Sequence, residues 1–234
     1  MENMLNTDNS TGRKFSPQNI TMQLWSKRFL LIAFVVLIIG GSVVRLQGYD
    51  RFLPHITYTD EVVYVALGEH FRGISDQTPL IETYGTLAPA YVLFTMGFQE
   101  LHDTFKTVSW DMPAQDYQGL RLTSTIMGIL TIAAIVWAAS MIAGGWAGIL
   151  AGAVWAFSPL VIDINSYAIP DPALYLVSAL ALGTAIAAWK YESPRYLFVS
   201  LIMGIIAIYL KLWVAHTLIP CLVVGVLLFF KNPR

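Results

Sequence analysis

A chain of 234 residues that is 56% hydrophobic and 12% charged, with a mean hydropathy of +0.60, carries more apolar surface than a soluble core of that size uses. It reads as an integral membrane protein, and its net charge of −1 supplies no basic field for nucleic acid. Cys221, the single cysteine, lies in an apolar run, which excludes an intrachain disulfide and a cysteine-built zinc site.

Residues 1–27 are polar, with no apolar period, and read as a cytosolic tail, disordered or lying on a surface. The tail is no secretory signal, because its apolar segment starts too late and lacks a small-residue cleavage site; Phe29 to Leu46 reads as an uncleaved anchor. The sequons at Asn9 and Asn19 fall in this tail and carry no weight there. Residues 28–234 form the transmembrane module. A hydrocarbon core takes about 20 helical residues, and six stretches reach or approach that length: Phe29 to Leu46, Leu120 to Ala143, Trp146 to Ile164, Ala173 to Trp189, Tyr196 to Leu210 and Leu212 to Phe230. The expected fold class is therefore all-α, a polytopic membrane helical bundle. Gly144 and Gly145 mark a tight turn, and Gly148 with Gly152 makes a small-xxx-small pattern for close helix packing.

Leu87 to Leu101 is too short to span, begins near Pro89 and ends in Gln99 and Glu100, so it reads as an interfacial helix. With that segment lying flat, Arg13, Lys14, Lys27, Arg28, Lys190, Arg195, Lys231 and Arg234 all fall on the cytosolic side, as short-loop charge bias requires. Both termini are then cytosolic in a plasma or inner membrane. The loop of residues 47–118, with ten acids against three bases, is external. If Leu87 to Leu101 crossed instead, Asp60 and Asp171 would face opposite compartments.

Within that loop, Thr59 or Asp60 caps a second surface helix whose apolar face is Val62, Val63, Ala66, Leu67 and Phe71. Asp60 and Glu61 sit at its N-terminal end, where the helix dipole favours ionised carboxylates. An ionised carboxylate beside a lipid surface can act as a general base toward a hydroxyl or amine; the bland alternative is a capping acid next to a solvated glutamate. His55, Glu69 and His70 are the candidates for a divalent metal, at loose spacing, and no metal site is assigned. The run Ser158 to Pro172, SPLVIDINSYAIPDP, breaks an apolar stretch and leaves Asp171 between two prolines. Asp171 reads either as the N-terminal cap of the next helix or as an acid with a job at the membrane edge. By position alone Lys211 reads as a snorkelling anchor and Arg121 as an interface anchor.

Taken in order, TDEVVYVALGEHFRG, ETYGTLAPAYVLFTMGFQELHD, GLRLTSTIMGILT, FSPLVIDINSYAIPDPAL and IYLKLWVAHTLIP resemble the GT-C superfamily of membrane glycosyltransferases, in particular its protein O-mannosyltransferase and aminoarabinose transferase branch. The resemblance spans about residues 28–230. It implies a sugar donor on a polyprenyl phosphate and an acceptor that enters from the external or lumenal side. It implies Asp60 as the base with Glu61 beside it, Asp171 as a second acid of the cavity, and Lys211 and Arg121 on the lipid phosphate. Many relatives carry a lysine before the proline of the surface helix, where this chain has Ala88 before Pro89. Relatives also continue with further spans, so this chain is expected to correspond to an N-terminal half or to be a shortened homologue that has lost catalysis. Two functions follow: a glycosyltransferase, or a catalytically inactive GT-C-like subunit that packs in and stabilises a larger membrane complex. A transporter is the weakest reading, since the span centres lack polar residues and no inverted repeat is visible.

Overall fold

The computed structural model describes residues 17–48, 59–71, 73 and 112–231. Among them every regular element is helical: α1 (Pro17–Leu46), α2 (Thr59–Phe71), α3 (Met112–Ala143), α4 (Gly145–Ala156), α5 (Pro159–Ile164), α6 (Asp171–Tyr191), α7 (Pro194–Leu210), a 3₁₀ helix (Leu212–Leu218) and α8 (Ile219–Lys231). The protein is an all-α membrane helical bundle. Three helical stretches are long and apolar enough to cross a membrane, Lys27–Leu46, Tyr117–Ala143 and Asp171–Tyr191; Gly145–Ala156, Pro194–Leu210 and Ala215–Lys231 are apolar but shorter. The expected interfacial helix over Leu87 to Leu101 lies outside the described residues.

Two expected spans are interrupted, each by a proline. Pro159 has no N–H to give Trp155, so α4 ends at Ala156 and the chain passes through an extended Ser158 before α5 starts with Pro159 in its first turn. Pro220 acts alike on Leu212 to Phe230. Lacking the N–H that would reach His216, it leaves that carbonyl to Ile219, and the segment opens as a 3₁₀ helix before α8. At the other terminus α1 starts at Pro17, so residues 17–26 of the polar tail are helical.

α3 runs through the centre of the bundle, packed against α4 and α6, and α7 packs on the far side of α6. Between membrane helices such association rests on close backbone approach and van der Waals fit. Gly148 and Gly152 supply that approach, as the sequence pattern implies: a Cβ on Gly148 would stand 2.5 Å from Val136 O, and one on Gly152 would stand 2.3 Å from Val136 Cγ2. Gly144 makes the turn between α3 and α4 at φ 88°, a left-handed conformation that other residues adopt at a cost. Three buried clusters follow. Leu37, Ile132, Val136 and Ala156 join α1, α3 and α4; Met127, Ala173, Leu174, Ala207 and Leu210 join α3, α6 and α7; Val65, Tyr117, Leu120 and Ala168 seat α2 on α3.

The break at Pro159 leaves carbonyls without helical partners, and a side chain from another helix meets them. Arg45, in the last turn of α1, is 1% exposed. Its Nη1 donates to Ala156 O at 2.7 Å and to Gly41 O at 3.2 Å, while Nη2 donates to Trp155 O at 3.2 Å. The guanidinium therefore replaces the hydrogen bonds that α4 loses at its C-terminus, where the helix dipole also favours a cation.

The turns at Gly144 and at Glu192 and Ser193 define one end of the bundle, with Lys27, Arg28, Lys190, Arg195 and Lys231 near it. The opposite end holds α2, the segment 165–170 and the start of the 3₁₀ helix.

Candidate functional site

Glu61 is the second residue past the start of α2, and its side chain turns into the protein. Arg121 Nε donates to Glu61 Oε1 at 2.8 Å and Arg121 Nη2 to Oε2 at 2.7 Å, with both residues at or below 1% exposure. The backbone N–H of Ala168 adds a bond of 2.6 Å to Oε1. A two-point guanidinium pair fixes orientation as well as distance. The carboxylate thus ties three chain segments together: α2, α3 and the 165–170 turn. The same contact sets the buried face of α2, which is Glu61, Val65, Leu67 and Gly68, whereas the apolar spacing pointed to Val62, Val63, Ala66, Leu67 and Phe71; Val62 is in fact 43% exposed. The pull of Arg121 on Glu61 overrides the pattern of apolar residues.

Asp60, one residue earlier, is exposed. Successive helical side chains point about 100° apart, so the clamp that draws Glu61 inward leaves its neighbour facing out.

Asp171 opens α6, but its side chain makes no capping bond; the N-cap position belongs to Pro170, whose carbonyl accepts from Leu174 N–H at 2.9 Å. The carboxylate instead accepts from Lys211 Nζ at 2.9 Å and 3.1 Å. This pair is partly open, with exposures of 27% for Lys211 and 22% for Asp171. Lys211 is itself the single extended residue between α7 and the 3₁₀ helix. Since Ala168 lies three residues before Asp171, the Glu61 clamp and the Asp171–Lys211 pair stand at the same end of the bundle.

The turn between α5 and α6 is wedged against α3. Asn165 is 1% exposed; its backbone carbonyl accepts from Thr125 Oγ1 at 3.1 Å, and Ile169 O accepts from Ser124 Oγ at 3.3 Å. Gly128 makes room for the Asn165 carboxamide, since a Cβ there would stand 2.2 Å from Asn165 Nδ2. A cleft of about 450 Å³ opens beside this turn, lined by Val44, Gln47, Pro159, Ile162, Asp163 and Tyr167 among others. Tyr167 Oη donates to Asp163 Oδ1 at 3.4 Å, and the Tyr167 ring centroid lies 5.9 Å from Arg121 Cζ.

The sequence of the second half of the chain matches a known family. The model of the dolichyl-phosphate-mannose-protein mannosyltransferase family covers residues 112–234, more than half of the chain. The chain belongs to this family. It is therefore a member of a family of membrane glycosyltransferases of the GT-C type. No curated protein and no solved structure matches the chain.

The mannosyltransferase-family match contains Arg121, Asp171 and Lys211, while Asp60 and Glu61 precede it. Those two acids reach the matched region through the Glu61–Arg121 pair. Arg121, expected on a lipid phosphate, is enclosed, and its Nε and Nη2 bond to Glu61. Of the metal candidates, Glu69 and His70 lie on α2 and His55 lies outside the described residues. Among the described residues no group of three or more His, Cys, Asp or Glu side chains is arranged to hold a metal ion. Arg45 escaped the sequence reading. Its signal was a base inside an apolar run, together with a proline that strips two carbonyls elsewhere.

Proposed function

We propose that the chain is a glycosyltransferase that moves a sugar from a polyprenyl-phosphate donor to an acceptor hydroxyl or amine on the external or lumenal side of the membrane. One observation carries this reading: exposed Asp60 is tethered, through the Glu61 clamp on Ala168, to the segment that leads into the partly open Asp171–Lys211 pair. A base and a cation at one end of an apolar bundle are what transfer from a lipid phosphate requires. The acceptor atom attacks the anomeric carbon while Asp60 takes its proton, and the bond from that carbon to the phosphate oxygen breaks. The sugar inverts, and the lipid phosphate leaves with the electron pair. Negative charge grows on the departing phosphate, so a fixed cation there stabilises the transition state more than the ground state. Lys211 is that cation in this reading, with Asp171 as the second acid of the cavity that holds it ready. Glu61 and Arg121 act as positioning residues for Asp60.

The basic end of the bundle faces the cytosol under the same reading, with both termini there. The donor is a membrane lipid that enters from the bilayer. A transfer assay with polyprenyl-phosphate-linked sugar tests the proposal. The wild-type chain transfers sugar, and Asp60→Asn lowers kcat by about 10²–10⁴, the usual contribution of a general base, with donor KM little changed. Equal rates for wild type and Asp60→Asn would remove the base. No transfer by the wild-type chain would favour the inactive subunit that stabilises a larger membrane complex.

A further inference from the structure

The basic end of the bundle carries a feature that sugar transfer does not use. Between α3, α6 and α8 lies a cleft of about 490 Å³ whose wall is apolar, formed by Met141, Ile142, Ile186, Val224 and Leu227. Its rim is not apolar. Trp189 and Lys190 complete the lining, and Lys231 Nζ stands 5.7 Å from the Trp189 ring centroid. Lys190 Nζ donates to Met141 O at 3.3 Å, near the end of α3, and Lys231 bonds to Glu192. Each ammonium carries three donors, so each retains protons for another acceptor.

We propose that this cleft is a binding site for an anionic phospholipid, with one acyl chain against Ile186, Val224 and Leu227 and the headgroup phosphate between Lys190 and Lys231. Charge selects the occupant. Near this end the described bases are Lys27, Arg28, Lys190, Arg195 and Lys231, against Glu192. A basic pocket between membrane helices attracts anionic headgroups, and tryptophan prefers the depth where headgroup meets acyl chain. The lysines also fix where the lipid lies along the cleft, because Lys190 lies in the last turn of α6 and Lys231 ends α8. A zwitterionic lipid would fill the apolar wall but gain little from the rim. The site is at the opposite end of the bundle from Asp60 and Lys211, so it stands whether or not the transfer reading does.

Native mass spectrometry of the full chain, released from micelles containing equal phosphatidylglycerol and phosphatidylcholine, tests the proposal. Phosphatidylglycerol is retained preferentially, and Lys190→Gln and Lys231→Gln each weaken its retention roughly fivefold, as one basic residue near an anionic surface implies. Val224→Phe, which fills the cleft and leaves both lysines, also removes the bound lipid. Lys27→Gln, which removes equal charge from α1, leaves retention unchanged. Equal retention of the two lipids, or an equal loss with Lys27→Gln, would overturn the site. So would a photocrosslink from position 224 in cell membranes that captures a protein helix instead of lipid.

Discussion

Two ion pairs sit at the same end of this bundle and differ in one respect, access to solvent. Glu61 and Arg121 are sealed, at or below 1% exposure, while Asp171 and Lys211 are each about a quarter open. Charges that share a closed space with each other and with a backbone N–H cannot be parted without leaving one buried and uncompensated. Charges that keep an open side can exchange partners with a ligand. The sealed pair therefore places α2, and with it Asp60, while in the proposed transfer the open pair is the one that meets the phosphate.

Breaking the sealed pair has the largest expected effect. Arg121→Leu strands the Glu61 carboxylate inside the protein, and loss of one member of a buried pair costs about 3–5 kcal/mol, measured as the fall in Tm or in denaturant midpoint in detergent. The double variant Glu61→Leu with Arg121→Leu recovers part of that loss. It does not recover all, because the Ala168 N–H loses its acceptor, a deficit of about 1–3 kcal/mol. A double variant as unstable as the single one would mean that the charge of Glu61 is not what strains the protein.

Arg45 sharpens the contrast, because it is as buried as Arg121 yet is satisfied by carbonyls and by no carboxylate among its described bonds. Arg45→Met removes the cap from the broken end of α4 at a cost of about 2 kcal/mol, the order expected for charged hydrogen bonds to backbone. The same unfolding measurement checks it, and Arg45→Lys restores only a part, because a lysine presents one donor centre where the guanidinium presents a fork. Opening the Asp171–Lys211 pair with Lys211→Gln has the smallest effect on stability, about 0–1 kcal/mol, since partly exposed pairs are screened.

Much of this architecture is legible in the residue order. Spacing of apolar runs places both ends of α6 and α7 within two residues and the C-terminal ends of α1 and α3, because a membrane span is set by length and hydropathy more than by tertiary contact, whereas α1 and α3 extend as polar helix to Pro17 and Met112, well before the apolar runs begin. The two broken spans were visible only as prolines, and whether Pro159 and Pro220 kink or end a helix depends on who satisfies the freed carbonyls. For Pro159 that partner is Arg45, some 110 residues away in sequence, which no local pattern reveals. Asp60, Glu61, Arg121, Asp171 and Lys211 all drew attention as ionisable groups at apolar edges. Their pairing did not, since nothing in the spacing says that Arg121 will choose Glu61 and Lys211 will choose Asp171. Burial separates the two roles, and burial is a property of the assembled bundle.

The division of labour between the two pairs is most directly tested by the affinity of the chain for a polyprenyl phosphate without its sugar, measured in lipid nanodiscs for wild type and Lys211→Gln. At an unchanged Tm, Lys211→Gln binds at least about tenfold more weakly, the loss expected when a phosphate forfeits one charge-assisted hydrogen bond. Affinity equal to that of wild type would show that the open pair does not meet the donor, and would contradict the account.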